Sequence, residues 1–360
     1  MCAVSVFNSS VEMLDACRLQ QDPLADEVIA SYVAKDKAAL RTLFSQVKDN
    51  RYRPSKKAPA AFQKLYRSVY KPWKPEEVLA MKKGQEFFAR HSSDIMMLLG
   101  LLSLPYCYAA AQGAEVLIRS KRIKENPGKR LMETGEFVFD VTAPGALLED
   151  GKGLASILKI RLIHAMIRHY INQGGDWMAE RGKPVNQEDM AGTNLSFSLI
   201  PVRGLRKLGK AISSEQSLDY IGYWNLIGER LGLKSELLPG TTKEAYLLER
   251  NIRQRQFKKS EAGRVLTSAL LTYFEEVTQG TPMQGKSKAF VYHLLGEKVA
   301  ELLGVEISRL ELSTFRPISE MIRFRNLFQS RTDTYMAAYR NFERQKKELT
   351  GEGPGGFHLP

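Results

Sequence analysis

Residues 155–172 read ASILKIRLIHAMIRHYIN, and their pattern decides where the core of the protein lies. Apolar residues occur nearly all round a helical projection of this stretch, which predicts a central helix that is largely buried. Because successive helical residues turn by about 100°, His164 lies about 60° from Arg161 and about 40° from Arg168, all on one stripe. His169 points about 140° away from His164. The helix therefore combines a core position with charges that burial makes costly.

Helical patterns also dominate the rest of the chain and predict an all-α protein. Strand-like alternation is confined to Glu136–Thr142, which follows a short helical piece over 129–135 that ends at Gly135. No internal repeat or linker divides the chain, so we expect a single large domain. The other segments with helical periodicity or capping signals are residues 25–48, 76–90, 94–118, 186–197, 214–233, 241–257, 261–276, 286–303 and 333–349.

Three regions are expected along this domain. Residues 1–75 form an N-terminal helical extension and connector, of which 49–75 are basic and rich in proline and predict irregular structure. Residues 76–345 form the main helical domain. The tail, residues 346–360, includes GEGPGGFHLP and is expected to be flexible.

Composition excludes several classes of protein. The 360 residues include 53 Lys and Arg against 40 Asp and Glu, a net charge of +13 that suggests an anionic partner. A hydrophobic content of 43% is typical of a globular chain rather than a disordered one. The three Cys lack the spacing of a disulfide framework or a metal site. Motifs of nucleotide-binding enzymes and serine hydrolases are absent from the sequence.

The N-terminus and the apolar runs predict a cytoplasmic protein. The first residues contain neither a basic region nor a long apolar one, so they do not resemble a secretory signal. The most apolar run, Ile95–Ala111, is slightly short for a bilayer span and contains Pro105. It predicts a buried core helix that breaks near Pro105, with a membrane-dipping segment as the alternative.

The charges of the 155–172 helix have two interpretations. In the first, acids on other helices pair Arg161 and Arg168, and His164 is an ordinary core histidine. In the second, the stripe is a haem site, in which neutral His164 binds the iron and an arginine faces the haem propionates. Spacing alone leaves both interpretations open.

A second polar pair lies upstream of this helix. Arg130 and Thr134 are i, i+4 neighbours on a short helix and face the same way. A guanidinium and a hydroxyl on one face suit a pocket for dioxygen or for the polar end of a substrate. The alternative is a surface arginine beside a threonine in the last helical turn.

These residues occur in the order found in a known family. The segment RLMETGEFVFDVTAPGALLEDGKGLASILKIRLIHAMIRH, which begins at Arg130, resembles the catalytic domain shared by rubber oxygenases (latex clearing proteins) and mpaB-type oxygenases. The resemblance rests on R-x-x-x-T at Arg130–Thr134 and on R-x-x-H-x-x-x-R-H at Arg161–His169. It covers roughly residues 90–300, with support from NQEDMAGTNLSF, YWNLIGERLGLKSELLP and LPYCYAAAQGAEVL.

The resemblance implies a globin-like helical core that holds haem b, so that residues 76–345 are a haem-binding, oxygenase-like domain. His164 is then the proximal ligand of the iron, and Arg130 and Thr134 are catalytic residues on the distal side. The other cofactor-binding residues it implies are Arg161, Arg168 and His169. The family's chemistry is cleavage of an isoprenoid C=C bond with dioxygen as co-substrate, so the implied partner is a hydrophobic small molecule.

The chain departs from the family pattern just before the distal threonine. Rubber oxygenases carry a lysine there, whereas this chain has Glu133, which adds a carboxylate to the catalytic candidates. Glu115 is a further candidate base by position. Since no export signal is recognised, we expect a smaller intracellular lipid or terpenoid in place of an extracellular polymer.

Two other functions remain as alternatives. One is a haem carrier or sensor that has the same fold and no turnover. The other is a basic module for nucleic acid or an anionic membrane, based on basic runs at residues 119–130, 203–210 and 250–264. Such runs are usually solvated helix faces, and no nucleic-acid-binding motif accompanies them, so nucleic acid is not expected. Peripheral contact with an acidic membrane surface stays open.

Overall fold

The computed structural model describes residues 9–33, 37–119, 127–280, 284–312 and 334–350. Within these ranges the regular structure is helical, and the one extended pairing is an isolated bridge between Ala110 and Phe257. The predictions of an all-α class and a single large domain are confirmed.

The central helix, α9, spans Gly153–Gly174. The helices before it are α1 (Val11–Arg18), α2 (Pro23–Val33), α3 (Lys37–Gln46), α4 (Ala60–Val69), α5 (Pro75–Leu98), α6 (Leu104–Tyr108), α7 (Ala111–Arg119) and α8 (Pro127–Thr142). Those after it are α10 (Gln187–Phe197), α11 (Leu199–Lys207), α12 (Ser214–Arg230), α13 (Thr242–Gln256), α14 (Glu261–Val277), α15 (Ser287–Leu295), α16 (Glu297–Leu302) and α17 (Thr334–Thr350).

Helix α9 is fixed at both ends by specific residues. Asn50, from a distant loop, caps its start: the side-chain Oδ1 accepts hydrogen bonds from the backbone N–H of Leu154 (2.8 Å) and of Ala155 (3.1 Å). The helix stops at Gly175, which has φ 71° in the left-handed region that glycine adopts without strain. Between these ends the helix is packed against several neighbours, as its all-round apolar pattern predicts.

The expectations for residues 129–142 are wrong. Glu136–Thr142 is not strand-like, and the helix does not end at Gly135, because α8 runs unbroken from Pro127 to Thr142. Helix α8 packs against α5, α9, α14 and α17, so side chains on several of its faces are buried. Burial on several sides removes the one-sided apolar stripe that identifies a helix in a sequence.

Two further boundaries differ from expectation. The connector 49–75 is not irregular throughout, because it contains α4, whose Phe62, Leu65 and Val69 are buried on one face. The region 346–360 is not a tail from its first residue, because α17 continues to Thr350. Lys346 Nζ lies 2.8 Å from a carboxylate oxygen of Glu136, so an ion pair joins the C-terminal half of α17 to α8. Residues 351–360 lie outside the described ranges.

The apolar run Ile95–Ala111 is part of the core. Helix α5 ends at Leu98 and passes through a π-helical turn, Leu99–Ser103, into α6, which has Pro105 in its first turn. Ile95 and Leu98 are fully buried. Among the described residues, no helix has the length and apolar character needed to cross a membrane.

The N-terminal helices share the core of the main domain. Helix α2 packs against α4 and α9, and its Val28 and Ile29 belong to the main apolar cluster. Helix α1 belongs to a second, smaller cluster with α10, α12 and α13, in which Leu14 and Leu248 are fully buried.

A close contact between two helices in the core predicts the effect of one substitution. A Cβ atom at Gly84 on α5 would lie 2.2 Å from Cβ of Tyr223 on α12, which neither helix backbone can accommodate without moving. We expect Gly84→Ala to lower the free energy of unfolding by about 1–3 kcal/mol, measured by urea denaturation. Gly222→Ala is the matched control: a Cβ there meets no atom within 4 Å, so it should stabilise the helix by about 0.5–1 kcal/mol. Equal effects of the two substitutions would contradict the packing.

Candidate functional site

His164 lies in the wall that two adjoining cavities share. Both cavities are lined by His164, Arg130, Cys107, Leu117, Ile160, Met190 and Thr193. The imidazole is partly accessible, and its free surface faces this interior space rather than the outside of the protein. The central helix therefore presents one histidine to a cavity from within the core.

The two cavities differ at their far ends. The Glu249 cavity, of about 1170 Å³ with its mouth included, extends to Glu249, Arg253 and Phe257. The Trp224 cavity, of about 930 Å³ with its mouth included, extends to Thr134 and Trp224. Most of the side chains that line both cavities are apolar, as is usual in small-molecule sites.

The surroundings of His164 keep its imidazole neutral. Burial, with smaller contributions from the Arg168 and Arg130 guanidiniums, lowers the pKa of His164 to about 3. The described residues provide no hydrogen-bond partner for either of its ring nitrogens. A neutral, unpaired imidazole that faces a cavity has a lone pair available to a metal centre.

Arg130, Glu133 and Thr134 form one group on α8 beside this imidazole. The guanidinium Nη1 of Arg130 lies 3.4 Å from a carboxylate oxygen of Glu133, and Thr134 Oγ1 donates a hydrogen bond to the Arg130 carbonyl at 2.9 Å. Arg130 lines both cavities, while Glu133 and Thr134 line the Trp224 cavity. The structure therefore brings the three predicted catalytic residues together with His164.

Arg161 and Arg168 are placed differently from the prediction. Arg161 binds both carboxylate oxygens of Asp22, each at 2.8 Å, and Arg168 Nε binds Asp26 at 2.7 Å. Neither arginine lines the two cavities that contain His164. Acids from outside α9 thus pair both arginines, as the first interpretation of this helix predicted for them. His164 does not fit that interpretation, because its side chain lines both cavities.

The acids that pair Arg161 and Arg168 come from the N-terminal part of the chain. Arg161 also donates to Ser68 Oγ at 2.9 Å and to the Arg230 carbonyl at 3.2 Å, so each of its three guanidinium nitrogens has a partner. Burial raises the pKa of the Asp26 carboxyl, and the charge of Arg168 opposes this shift.

Two further candidates lie away from the cavities. His169 is not among the residues that line either of them, and its Nε2 is buried with no hydrogen-bond partner in the described part of the chain. Glu115 lies between two guanidiniums, 3.2 Å from Arg119 and 3.1 Å from Arg181. Glu115 is paired with two cations and lines neither cavity, so it is not placed to act as the base that the sequence suggested.

A buried charged group at the end of the Glu249 cavity escaped sequence analysis. Glu249 is 3% exposed in its side chain and contacts Arg203 at 2.8 Å and Arg253 at 2.9 Å, and Tyr106 Oη donates a hydrogen bond to it. Asp189 also lines this cavity, and burial raises its pKa to about 6 against the nearby charge of Arg18. The sequence feature that could have identified Glu249 is its i, i+4 spacing from Arg253 on α13, which indicates an ion pair.

The basic runs of the sequence supply many of these internal pairs. From residues 203–210, Arg203 pairs with Glu249, and Lys210 lies 2.9 Å from Asp94. From residues 250–264, Arg255 lies 2.8 Å from Glu188, which is fully buried. Most of the run 119–130, residues 120–126, lies outside the described ranges.

Comparisons with known proteins identify the family of the chain. The family model described as "ER-bound oxygenase mpaB/B'/Rubber oxygenase, catalytic domain" matches residues 88–324. A rubber oxygenase from Streptomyces sp. (strain K30) is 25% identical over 181 residues, which make up 49% of this chain and 44% of that protein, so the match spans less than half of the relative. The solved structure of latex clearing protein in its closed state matches 95% of this chain and 93% of its own, with a TM-score of 0.77 and 19% identity, which shows a shared fold. Because the family model covers well over half of the sequence, the chain belongs to the family of mpaB-type and rubber oxygenase catalytic domains.

Proposed function

We propose that this protein is a haem-dependent oxygenase that uses dioxygen to cleave or oxidise a C=C bond of an apolar, isoprenoid or lipid-like substrate. One observation supports the proposal most directly: His164 offers a neutral imidazole, with no hydrogen-bond partner among the described residues, to two adjoining and mostly apolar cavities. Membership of an oxygenase family sets the class of reaction.

The residues around His164 fit haem b. A haem iron needs one axial imidazole from the protein, since its other ligands come from the porphyrin. The described residues contain no group of three His, Cys, Asp or Glu arranged to hold a metal ion, which agrees with a centre of this kind rather than a protein-only metal site. Ile160, Ile163 and Ile167 flank His164 on α9 and line the Glu249 cavity with apolar surface suited to a macrocycle. When bound, haem supplies the redox-active iron at which dioxygen is activated.

The residues of α8 supply the polar groups of the site. Arg130 provides a cation and Thr134 a hydroxyl on one side of the Trp224 cavity. Glu133 accepts a hydrogen bond from Arg130, so its role in our proposal is to orient that guanidinium toward the space in front of His164. The apolar walls exclude water and strengthen these polar contacts.

Arg130→Ala is expected to reduce oxygenase turnover by about 10²–10³-fold, because it removes a fixed charge from the site where negative charge develops. Oxygen consumption with isoprenoid substrates measures the effect, while the haem spectrum checks that the cofactor is retained. Lys129→Ala, at an exposed neighbour on the same helix, is the control and should keep wild-type turnover. Equal rates for the two variants would remove Arg130 from the mechanism.

An absorption spectrum of the protein, produced with adequate haem, tests the proposed function. We expect a Soret band that shifts when the reduced protein is exposed to carbon monoxide, together with oxygen consumption in the presence of unsaturated isoprenoids. A Soret band without consumption across a broad lipid panel would favour the haem carrier or sensor. A folded protein with no Soret band would overturn both.

A further inference from the structure

The mouth of the Glu249 cavity contains a cation whose hydrogen-bonding capacity is only partly used. Arg253 lines this cavity and binds Glu249 through Nε at 2.9 Å. Its two terminal nitrogens keep accessible surface, and the described residues give them no hydrogen-bond partner. The side chain is 38% exposed, so the free end of the guanidinium lies at the boundary between the cavity and solvent.

Glu249, the carboxylate at this mouth, has more positive charge beside it than it carries negative charge. Glu249 is contacted by two cations, Arg203 and Arg253. The nearby acids Glu188 and Asp189 contact Arg18 and Arg255, which lie 3.1 Å and 2.8 Å from their carboxylates, and Arg255 also binds Asp15. These charges pair among themselves, so at Glu249 an incoming anion meets one cation more than the single carboxylate needs.

The rest of the Glu249 cavity favours a chain of carbon atoms. Between Arg253 and His164 the walls are formed largely by aliphatic side chains, among them Ile163, Ile167, Met190 and Ile252. A mostly apolar cavity with a partly exposed cation in its wall is complementary to an amphiphile, because the tail gains from burial while the head stays where water and the guanidinium both reach it.

We propose that the substrate of this site is an unsaturated amphiphile with a terminal carboxylate, held by the free nitrogens of Arg253 while its apolar chain extends toward His164. The planar guanidinium fork matches the two oxygens of a carboxylate, which makes this head a better fit than a hydroxyl. The proposal rests on the proposed function for the reaction and adds the class of substrate. A hydrocarbon polymer has no group for Arg253 to bind.

Calorimetric titration with three ligands of equal chain length tests the head group: farnesoic acid, farnesol and farnesene. For the wild type we expect the acid to bind at least about tenfold more tightly than the alcohol or the hydrocarbon. Arg253→Leu should weaken binding of the acid by about 10- to 100-fold and leave the other two ligands within about twofold. Arg253→Gln retains a donor for Glu249 and should show the same selective loss, which separates head-group binding from damage to the fold.

Lys243→Leu is the control for charge, since it removes an exposed cation from the same helix without touching the cavity. It should leave all three affinities unchanged. Equal affinities of the wild type for acid and alcohol, or an equal loss of all three ligands in both Arg253 variants, would overturn the proposal.

The outcomes separate this proposal from the proposed function. Haem-free protein that still prefers the acid supports the carboxylate site even if oxygenase activity is absent. A haem-loaded protein that consumes oxygen equally fast with acid, alcohol and hydrocarbon supports the oxygenase and overturns the carboxylate site.

Discussion

Replacing His164 by alanine is expected to abolish the Soret band of the purified protein. In the proposed site the imidazole of His164 is the axial ligand of the iron. Changes to groups that merely support a metal ligand reduce affinity about 10–100-fold, so loss of the ligand itself should exceed about 100-fold. Titration of the haem-free variant with haem measures this loss. Because His164 faces a cavity, the variant should remain folded, which far-ultraviolet circular dichroism checks.

His169→Ala is the matched control for this experiment. His169 lies on the same helix five residues later and lines neither of the two cavities, so its replacement should retain the Soret band. Added imidazole should also restore a haem spectrum to His164→Ala by filling the space left by the side chain. If His164→Ala binds haem as tightly as the wild type does, the assignment of the proximal ligand is wrong.

Replacing Asp22 by asparagine should lower the free energy of unfolding by about 3–5 kcal/mol, since it leaves the guanidinium of Arg161 buried without its counter-charge. Arg161 is 4% exposed and binds Asp22 through two hydrogen bonds of 2.8 Å, so water cannot replace the lost carboxylate. Urea denaturation followed by circular dichroism measures the loss.

Two further variants show whether this effect comes from burial. Asp150→Asn breaks an ion pair with Arg51 in which both side chains are more than half exposed, and it should cost less than about 1 kcal/mol. The double variant Asp22→Leu with Arg161→Met replaces the buried pair by apolar groups and should recover most of the lost stability. A cost for Asp22→Asn no larger than that for Asp150→Asn would contradict a buried ion pair.

The central helix was predictable because its signals are local. Its all-round apolar pattern indicated burial, and the glycines after residue 172 marked its end. Glu136–Thr142 was misassigned because its short alternation of apolar and polar residues resembles a strand, whereas contacts with several helices bury more than one face of α8. A helix buried on several faces lacks the one-sided stripe with a period of about 3.6 residues, and a segment of seven residues is too short to show the all-round apolar pattern that identified α9.

The candidate site was predictable in part. Its motif residues Arg130, Glu133, Thr134 and His164 all line the cavities, so the grouping inferred from spacing and resemblance agrees with the structure. Arg253 belongs to the run 250–264, which was interpreted as a solvated helix face, and Glu249 was not singled out, because nothing in a single sequence shows that a glutamate on a charged helix is buried.

The sequence by itself determined the helical class, the buried central helix and His164 on it as a candidate ligand. The tertiary structure decided which charges face the cavity. Arg161 and Arg168 share a stripe with His164, yet their side chains reach Asp22 and Asp26, which lie 139 and 142 positions away in the chain. Helical periodicity fixes the direction in which a side chain leaves its helix, whereas its partner is set by long-range packing that brings distant segments together. For a buried cation, that partner determines whether the charge is neutralised within the fold.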